Sequence, residues 1–298
     1  MKGMENKIVE VAVCVRSYNQ KEYLRIAIES ILSQITNFDF EIIISDDCST
    51  DGTIEMLHDY ANRYSNKIRL ILGEHNIGGP MNFRRVIEAA KTKYVAFMDG
   101  DDYWVDDYKL QKQYDFIQSH PEYVGCFHNA YIAEGELGKN VSLFNGQFLH
   151  NPISYQPIIT EHWFMPTSSE LVVRDKIFFP EWYSEVANDD YVINLGLAMS
   201  GPFYYMKDVM SVYRYHNANV SRLYDDWRKL CANFLRIYRG YKALYPEDAR
   251  PLFETKISEY EALQRKNERL SEHPWLCYLD WRFYKRLIFK KLHIRIVR

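Results

Sequence analysis

The chain has 298 residues, with 40 acidic and 37 basic side chains and a formal charge of −3. That length allows one large or two modest domains, and apolar and charged fractions of 47% and 26% belong to a globular chain rather than a disordered one. The near-neutral total excludes a uniformly basic nucleic-acid binder, and no run approaches the roughly 18 apolar residues of a membrane-spanning helix.

Ile8–Val15 reads as a buried strand, since it is short, holds Glu10 and lacks the small-residue cleavage site of a leader. Asn19 and Glu22 have capping-box spacing, and Leu24, Ala27, Ile28 and Ile31 follow at helical intervals. Glu41–Ser45 is a second strand, ending in the polar turn Asp46–Gly52. Ile54, Leu57, Ala61 and Tyr64 mark the next helix, Ile68–Leu72 a third strand, residues 82–91 a helix and Tyr94–Met98 a fourth strand. This alternation predicts an α/β fold, a mostly parallel sheet with helices on both faces. Ligands of such sheets gather at the carboxyl ends of the strands, where the unusual polar sequences of this chain lie.

From about residue 132 to 165 periodicity gives way to Gly, Asn, Pro and His, which predicts a mostly loop region. Asp189–Ser200 reads as a helix, Tyr204–Tyr215 as one or two strands, and the chain after residue 221 as a charged helical extension. Five scattered cysteines form no Cys-x-x-Cys pair. Cys14 and Cys126 lie in apolar runs as packed thiols, which predicts a reducing, cytoplasmic setting.

The strongest chemical signal is Tyr94–Trp104, where a buried strand runs into Asp99, Asp101 and Asp102 with no Lys or Arg among them. Like charges this close raise one another's pKa unless a cation intervenes, and oxygen ligands of this kind suit Mg²⁺ or Mn²⁺. A plain polar turn leading to a helix near Asp106 would place the same residues. The pair Asp46-Asp47 ends the second strand in the same way; a carboxylate there can accept from a base or ribose, or simply form an Asx turn.

The set Val15-Arg-Ser-Tyr18-Asn19, Ile44-Ser-Asp46-Asp47-Cys-Ser-Thr-Asp51-Gly-Thr, Asn76-Ile-Gly78-Gly and Phe97-Met-Asp99-Gly-Asp101-Asp102-Tyr-Trp104 resembles family 2 glycosyltransferases. The match continues through Lys109-Leu-Gln-Lys-Gln113, Thr167-Ser-Ser169, Asn188-Asp-Asp190-Tyr-Val and Val212-Tyr-Arg-Tyr-His216. The resemblance implies a GT-A, Rossmann-like fold, with a catalytic domain at 1–220 and a helical extension at 221–298. Within the first, a nucleotide-sugar half would cover about 1–131 and an acceptor half about 132–220.

It further implies that Tyr18 and Asp47 hold the base and Asp99 the ribose. Asp101, supported by Asp102, and His216 would hold Mn²⁺ or Mg²⁺, Arg214 would face the diphosphate, and Asp190 would be the general base. Relatives often carry an Arg shortly after the Asn-x-Gly turn; here Phe83 stands there, followed by Arg84 and Arg85, and Arg84 is the expected substitute. The implied reaction is metal-dependent inverting transfer from a nucleotide-diphosphate sugar, with UDP-sugars favoured, to a glycan or lipid-linked saccharide in cell-surface polysaccharide synthesis. A non-catalytic nucleotide-sugar or glycan-binding relative is the alternative. A nucleotidyltransferase is disfavoured because Arg16-Ser-Tyr-Asn is not its Gly-rich loop.

Residues 275–298 carry seven Lys/Arg against one Asp, interleaved with Trp, Phe, Tyr, Leu and Ile. The tail is thus +6, and residues 1–274, with 30 basic and 39 acidic side chains, are −9. Such a basic-aromatic segment predicts peripheral contact with anionic lipid at the inner face of the plasma membrane.

Overall fold

The computed structural model describes residues 9–134, 141–146, 149–161, 163–216 and 226–272. The chain divides into two units between His216 and Asn217, against the 220/221 boundary read from composition.

The first unit opens with the expected alternation: β1 (Val11–Ser17), α1 (Lys21–Leu32), β2 (Phe40–Asp46), α2 (Thr53–Arg63), β3 (Ile68–Leu72), α3 (Gly79–Ala89) and β4 (Tyr94–Asp99). These strands lie side by side in the order β3-β2-β1-β4, all parallel. Both faces of β1 are buried, as a helix-covered parallel sheet requires. Val11, Val13 and Val15 pack in one cluster with Leu24, Ile28 and Ile31 of α1 and Leu57 of α2. On the other face Cys14 meets the Val86 carbonyl of α3 at 3.7 Å, and Phe83 sits edge-on to Phe97 at 5.0 Å.

The rest of the unit comprises β5 (Tyr103–Trp104), α4 (Lys109–Ser119), β6 (Gly125–Glu134), β7 (Val141–Leu143), α5 (Tyr155–Glu161), β8 (Leu171–Val173), α6 (Asp189–Ala198) and β9 (Phe203–Tyr215). Past β4 the sheet becomes mixed: β8 is antiparallel to β4 and to β6, β6 is parallel to β9, and β9 is antiparallel to β5. The β6–β9 register slips on either side of Asn129. Such bulges bend and twist a strand pair, and β5 pairs with β9 beyond them, at Val212 and Ser211.

Two local expectations change. Asn19 and Glu22 form no capping box: α1 begins after Gln20 without a side-chain cap. Asn19 instead adopts a left-handed conformation (φ 49°), and its side-chain oxygen accepts from the Thr50 amide at 2.7 Å. Asn tolerates that conformation better than most residues, and the choice ties the β1 turn to the β2 turn. The 132–165 region also holds more structure than its composition predicts. β7 pairs antiparallel with the end of the preceding strand β6, and α5 buries Ile158 and Ile159, so strand pairing and packing decide it where composition did not.

In the second unit α7 (Trp227–Lys242) and α8 (Arg250–Glu272) carry the helical extension. Asp226 caps α7 by accepting from the Arg228 amide at 3.0 Å. Phe234 stacks on Tyr260, Tyr238 meets Phe253, and Arg239–Glu261 and Lys242–Glu254 pair at 2.8 Å. No helix among the described residues is long and apolar enough to cross a membrane. The basic-aromatic tail, 275–298, lies outside the described residues.

Ile44 is fully buried in the cluster between β2 and the α1–α2 layer. Ile44→Ala should destabilise the protein by about 2–5 kcal/mol through lost transfer energy and a residual cavity, read as a lower urea midpoint at unchanged slope.

Candidate active site

The carboxyl ends of β1, β2 and β4 deliver Tyr18, Asp46-Asp47 and Asp99–Asp102 to one edge of the sheet. Gly100 permits this crowding. Its amide donates to the Arg16 carbonyl at 3.0 Å, and a Cβ there would lie 2.9 Å from that same oxygen.

Asp46 and Asp47 divide their work. Asp46 is fully buried and accepts from the Ser49 amide and hydroxyl at 2.8 and 2.7 Å, which closes the turn after β2. Asp47 reaches across to the Asn76–Gly78 loop and accepts from the Ile77 and Gly78 amides at 3.0 and 2.9 Å. A base would therefore meet an Asp47 carboxylate already oriented by two backbone donors. Tyr18, just past the end of β1, is 46% exposed.

Arg84 lies elsewhere. Its guanidinium pairs with Glu88 at 2.8 Å and lies over Phe179. Arg85, the next residue, is the one directed at the β2 end, donating to Ser45 Oγ, the Asp46 carbonyl and Asn82 Oδ1 at 2.8–2.9 Å, with Asp47 at 3.7 Å. Helical phase decides between the two arginines, because neighbours on a helix face different directions.

Around β4 and β9 the predicted metal and diphosphate residues come together. Asp101 Oδ2 lies 2.9 Å from His216 Nε2. Arg214 donates its amide to Asp102 Oδ1 at 3.0 Å and its Nη1 to the Asp101 carbonyl at 2.6 Å. The Arg214 guanidinium lies over Tyr103 at 4.2 Å, and Tyr23 of α1 stacks on the His216 ring at 5.1 Å. Asp102 is almost fully buried, with only the Ser168 hydroxyl beside its second oxygen. Burial, then the Asp101 and Asp99 charges, push its carboxyl well above the ordinary range. Among the described residues no three His, Cys, Asp or Glu side chains converge as a metal cage. A cation at Asp101 and His216 would take its other ligands from phosphate and water, as Mg²⁺ commonly does.

Asp189 and Asp190 open α6. Asp190 Oδ2 accepts from the Thr167 hydroxyl at 3.1 Å and its Oδ1 from the Tyr191 amide at 2.8 Å. The carboxyl lines a recess with Ile158, Trp163, Met165, Tyr191 and Asn194. Burial raises its pKa, the Arg16 charge opposes that rise, and Asp99 adds to it. Asp189 is buried too, and its pKa is pushed up to about 6 by burial despite the Arg16 guanidinium.

Arg16 was missed as a site residue in the sequence. It donates to both Asp99 and Asp189, joining the end of β4 to the start of α6, and lies over Phe83 at 4.4 Å. The available signal was a lone cation after the buried run Val11–Val15, at a strand end rich in carboxylates. The turn Thr167–Ser169 is a second unassigned support. Its carbonyls accept from Trp104 Nε1 and Gln113 Nε2, each at 2.8 Å, and Glu170 accepts from Asn194 of α6 at 2.9 Å.

A model of the family described as Glycosyl transferase family 2 matches residues 12–176. An uncharacterised protein of Mycobacterium tuberculosis is 36% identical over 214 residues, covering 72% of this chain and 61% of its own length. The poly(ribitol-phosphate) beta-N-acetylglucosaminyltransferase TarS of Staphylococcus aureus is 32% identical over 115 residues, 38% of this chain and 20% of that protein. The chain thus spans under two thirds of these relatives. The crystal structure of S. aureus TarS residues 1–349 with UDP-GlcNAc superposes with a TM-score of 0.65 at 19% identity, covering 85% of this chain and 71% of that one. That likeness extends the GT-A architecture across most of the chain. With the matched model spanning more than half of its residues, the chain belongs to glycosyltransferase family 2.

Proposed function

We propose that this protein transfers a sugar, with inversion, from a nucleoside-diphosphate sugar to a hydroxyl of a glycan or lipid-linked saccharide acceptor in cell-surface polysaccharide synthesis. The observation that carries the reading is Asp190. Asp190 lines a recess at the start of α6, and Arg16 ties its neighbour Asp189 to Asp99 on the donor side. A UDP-sugar is the favoured donor, in keeping with the ligand of the structurally similar TarS complex.

On the donor side, the Tyr18 ring offers a stacking face for the base and Asp47 an acceptor for its imide N–H. Asp99 receives the ribose. Asp101 and His216 would hold Mn²⁺ or Mg²⁺, with Asp102 in support; the chemistry a bound ion would supply is neutralisation of charge on the leaving diphosphate. Arg214 adds a fixed cation at the same place, where charge develops in the transition state. Arg85 takes the place given to Arg84 at the Asp47 end.

On the acceptor side, the hydroxyl enters the recess and loses its proton to Asp190 as it attacks the anomeric carbon. The raised proton affinity of Asp190 suits that step near neutral pH. The Thr167 hydroxyl holds one oxygen in place.

Asp190→Asn should lower transfer by about 10²–10⁴-fold, the usual span for a general base, while UDP–Mn²⁺ binding by calorimetry stays intact. Near-normal transfer by this variant, with a donor found by screening nucleotide sugars, would point to another base, whereas no transfer by the wild-type protein with any donor that binds would favour the binding protein. Asp101→Ala should abolish the Mn²⁺-dependent part of UDP binding with little change in melting temperature; undiminished binding would remove Asp101 as a ligand. The tail at 275–298 is proposed to hold the enzyme on anionic lipid, so truncation at residue 274 should abolish co-sedimentation with phosphatidylglycerol vesicles, and unchanged sedimentation would refute it.

A further inference from the structure

Asp189 and Asp190 are adjacent and chemically identical, yet their surroundings differ. Asp189 is 3% exposed, and both of its oxygens are engaged within the fold: Oδ2 receives Arg16 Nη1, and Oδ1 receives the Asp190 amide at 2.9 Å. Asp190 lines the recess, and its carboxyl accepts from the Thr167 hydroxyl at 3.1 Å and the Tyr191 amide at 2.8 Å.

Arg16 is well placed to impose that difference. Its backbone sits in the parallel ladder, opposite Ser45 on one side and Asp99 on the other. Its carbonyl is held by the Gly100 amide, and its guanidinium is fixed by Asp99, Asp189 and the Phe83 ring. A planar, permanently charged fork suits this double engagement better than a lysine would.

We propose that Arg16 is a positioning residue that spends Asp189 as a structural anion, leaves Asp190 as the one available base, and couples the acceptor-side helix α6 to the donor-side Asp99. The proposal rests on the assignment of Asp190 as base. The charged groups facing Asp190 are Arg16 from β1, Asp99 from β4, Glu170 following the Thr167–Ser169 turn, and Asp189 on its own helix. From α5 the neighbours in the recess are uncharged, Ile158 among them. Burial pushes the Glu170 carboxyl well above the ordinary range, and Asn194 donates to it at 2.9 Å. Arg16 is therefore the cation that offsets two nearby carboxylates.

The test uses full-length protein labelled with [¹³Cγ]aspartate and titrated by NMR, with the Asp190 resonance assigned by its loss in Asp190→Asn. Arg16→Gln should raise the Asp190 pKa by about 1–3 units, the usual effect of a neighbouring opposite charge. It should move the acid limb of kcat upward by the same amount, with a smaller change in donor KM. Arg16→Gln/Asp189→Asn should return both part of the way to the wild-type values, because one of the two stranded carboxylates is gone while Asp99 remains. An unmoved Asp190 resonance, a change confined to donor KM, or a double variant no better than the single would overturn the proposal. Arg16→Lys keeps the charge and should shift the resonance less than Arg16→Gln; an equal shift would also count against it. Circular dichroism identifies a variant that has lost its fold, in which case Arg16→Lys and Asp189→Asn carry the titration: Arg16→Lys should raise the Asp190 pKa and Asp189→Asn should lower it. Near-normal transfer by Asp190→Asn would overturn the base assignment separately, whatever Arg16 does.

Discussion

Three residues, Gly100 to Asp102, join β4 to β5, although three other strands separate them in the sheet. At about 3.3 Å per residue so short a link cannot cross a flat sheet. The far strands must curl back to the end of β4, and the slipped register around Asn129 is where β6 and β9 bend. That curvature brings Arg214 of β9, and His216 just past its end, onto Asp101 and Asp102. Gly100 makes the turn possible, since any Cβ there would press on the Arg16 carbonyl and Gln20.

The same geometry concentrates acid. Asp99, Asp101, Asp102, Asp189 and Asp190 crowd one edge, with Arg16 and Arg214 the cations among them. Burial first, then the neighbouring carboxylates, raises Asp102 in pKa, and burial raises Asp189 despite Arg16. An acidic site of this kind is suited to a divalent ion and to a reaction that gains negative charge on its leaving group. Beneath it, Lys109 is wholly buried against the Trp104 ring at 4.0 Å, and burial pushes its ammonium down to about 7. Gln113 on the same helix holds the Ser169 carbonyl. The matched run Lys109–Gln113 thus acts through packing under the site rather than by touching its ligands.

The four leading strands were legible because each is a short apolar run ending in turn residues, a signal carried by neighbours in the chain. β7 and α5 were not. Val141–Leu143 is exposed along its length and becomes a strand only by pairing with β6. Asn19 shows the same limit on a smaller scale, for its spacing to Glu22 matched a cap while its side chain went to Thr50, distant in sequence. At the site, Asp47, Asp99, Asp101, Asp102, Arg214 and His216 were singled out by motif, and they gather in separate clusters near the carboxyl ends of the leading strands. Arg84 was not separable from Arg85 without the phase of α3 and its neighbours.

What the sequence determined by itself was the inventory and the order: alternating strands and helices, carboxylates at strand ends, and a residue pattern that resembles family 2 glycosyltransferases. These are local properties, set by side-chain periodicity and turn chemistry. What only the tertiary structure decided was which of these groups neutralise one another. Arg16 and Asp189 are separated by most of the first unit's length, and their pairing depends on β1 and α6 meeting across a folded sheet. Coulomb and desolvation energies depend on distance and burial, which the linear chain does not contain, so the different surroundings of Asp189 and Asp190 emerge only in the folded protein.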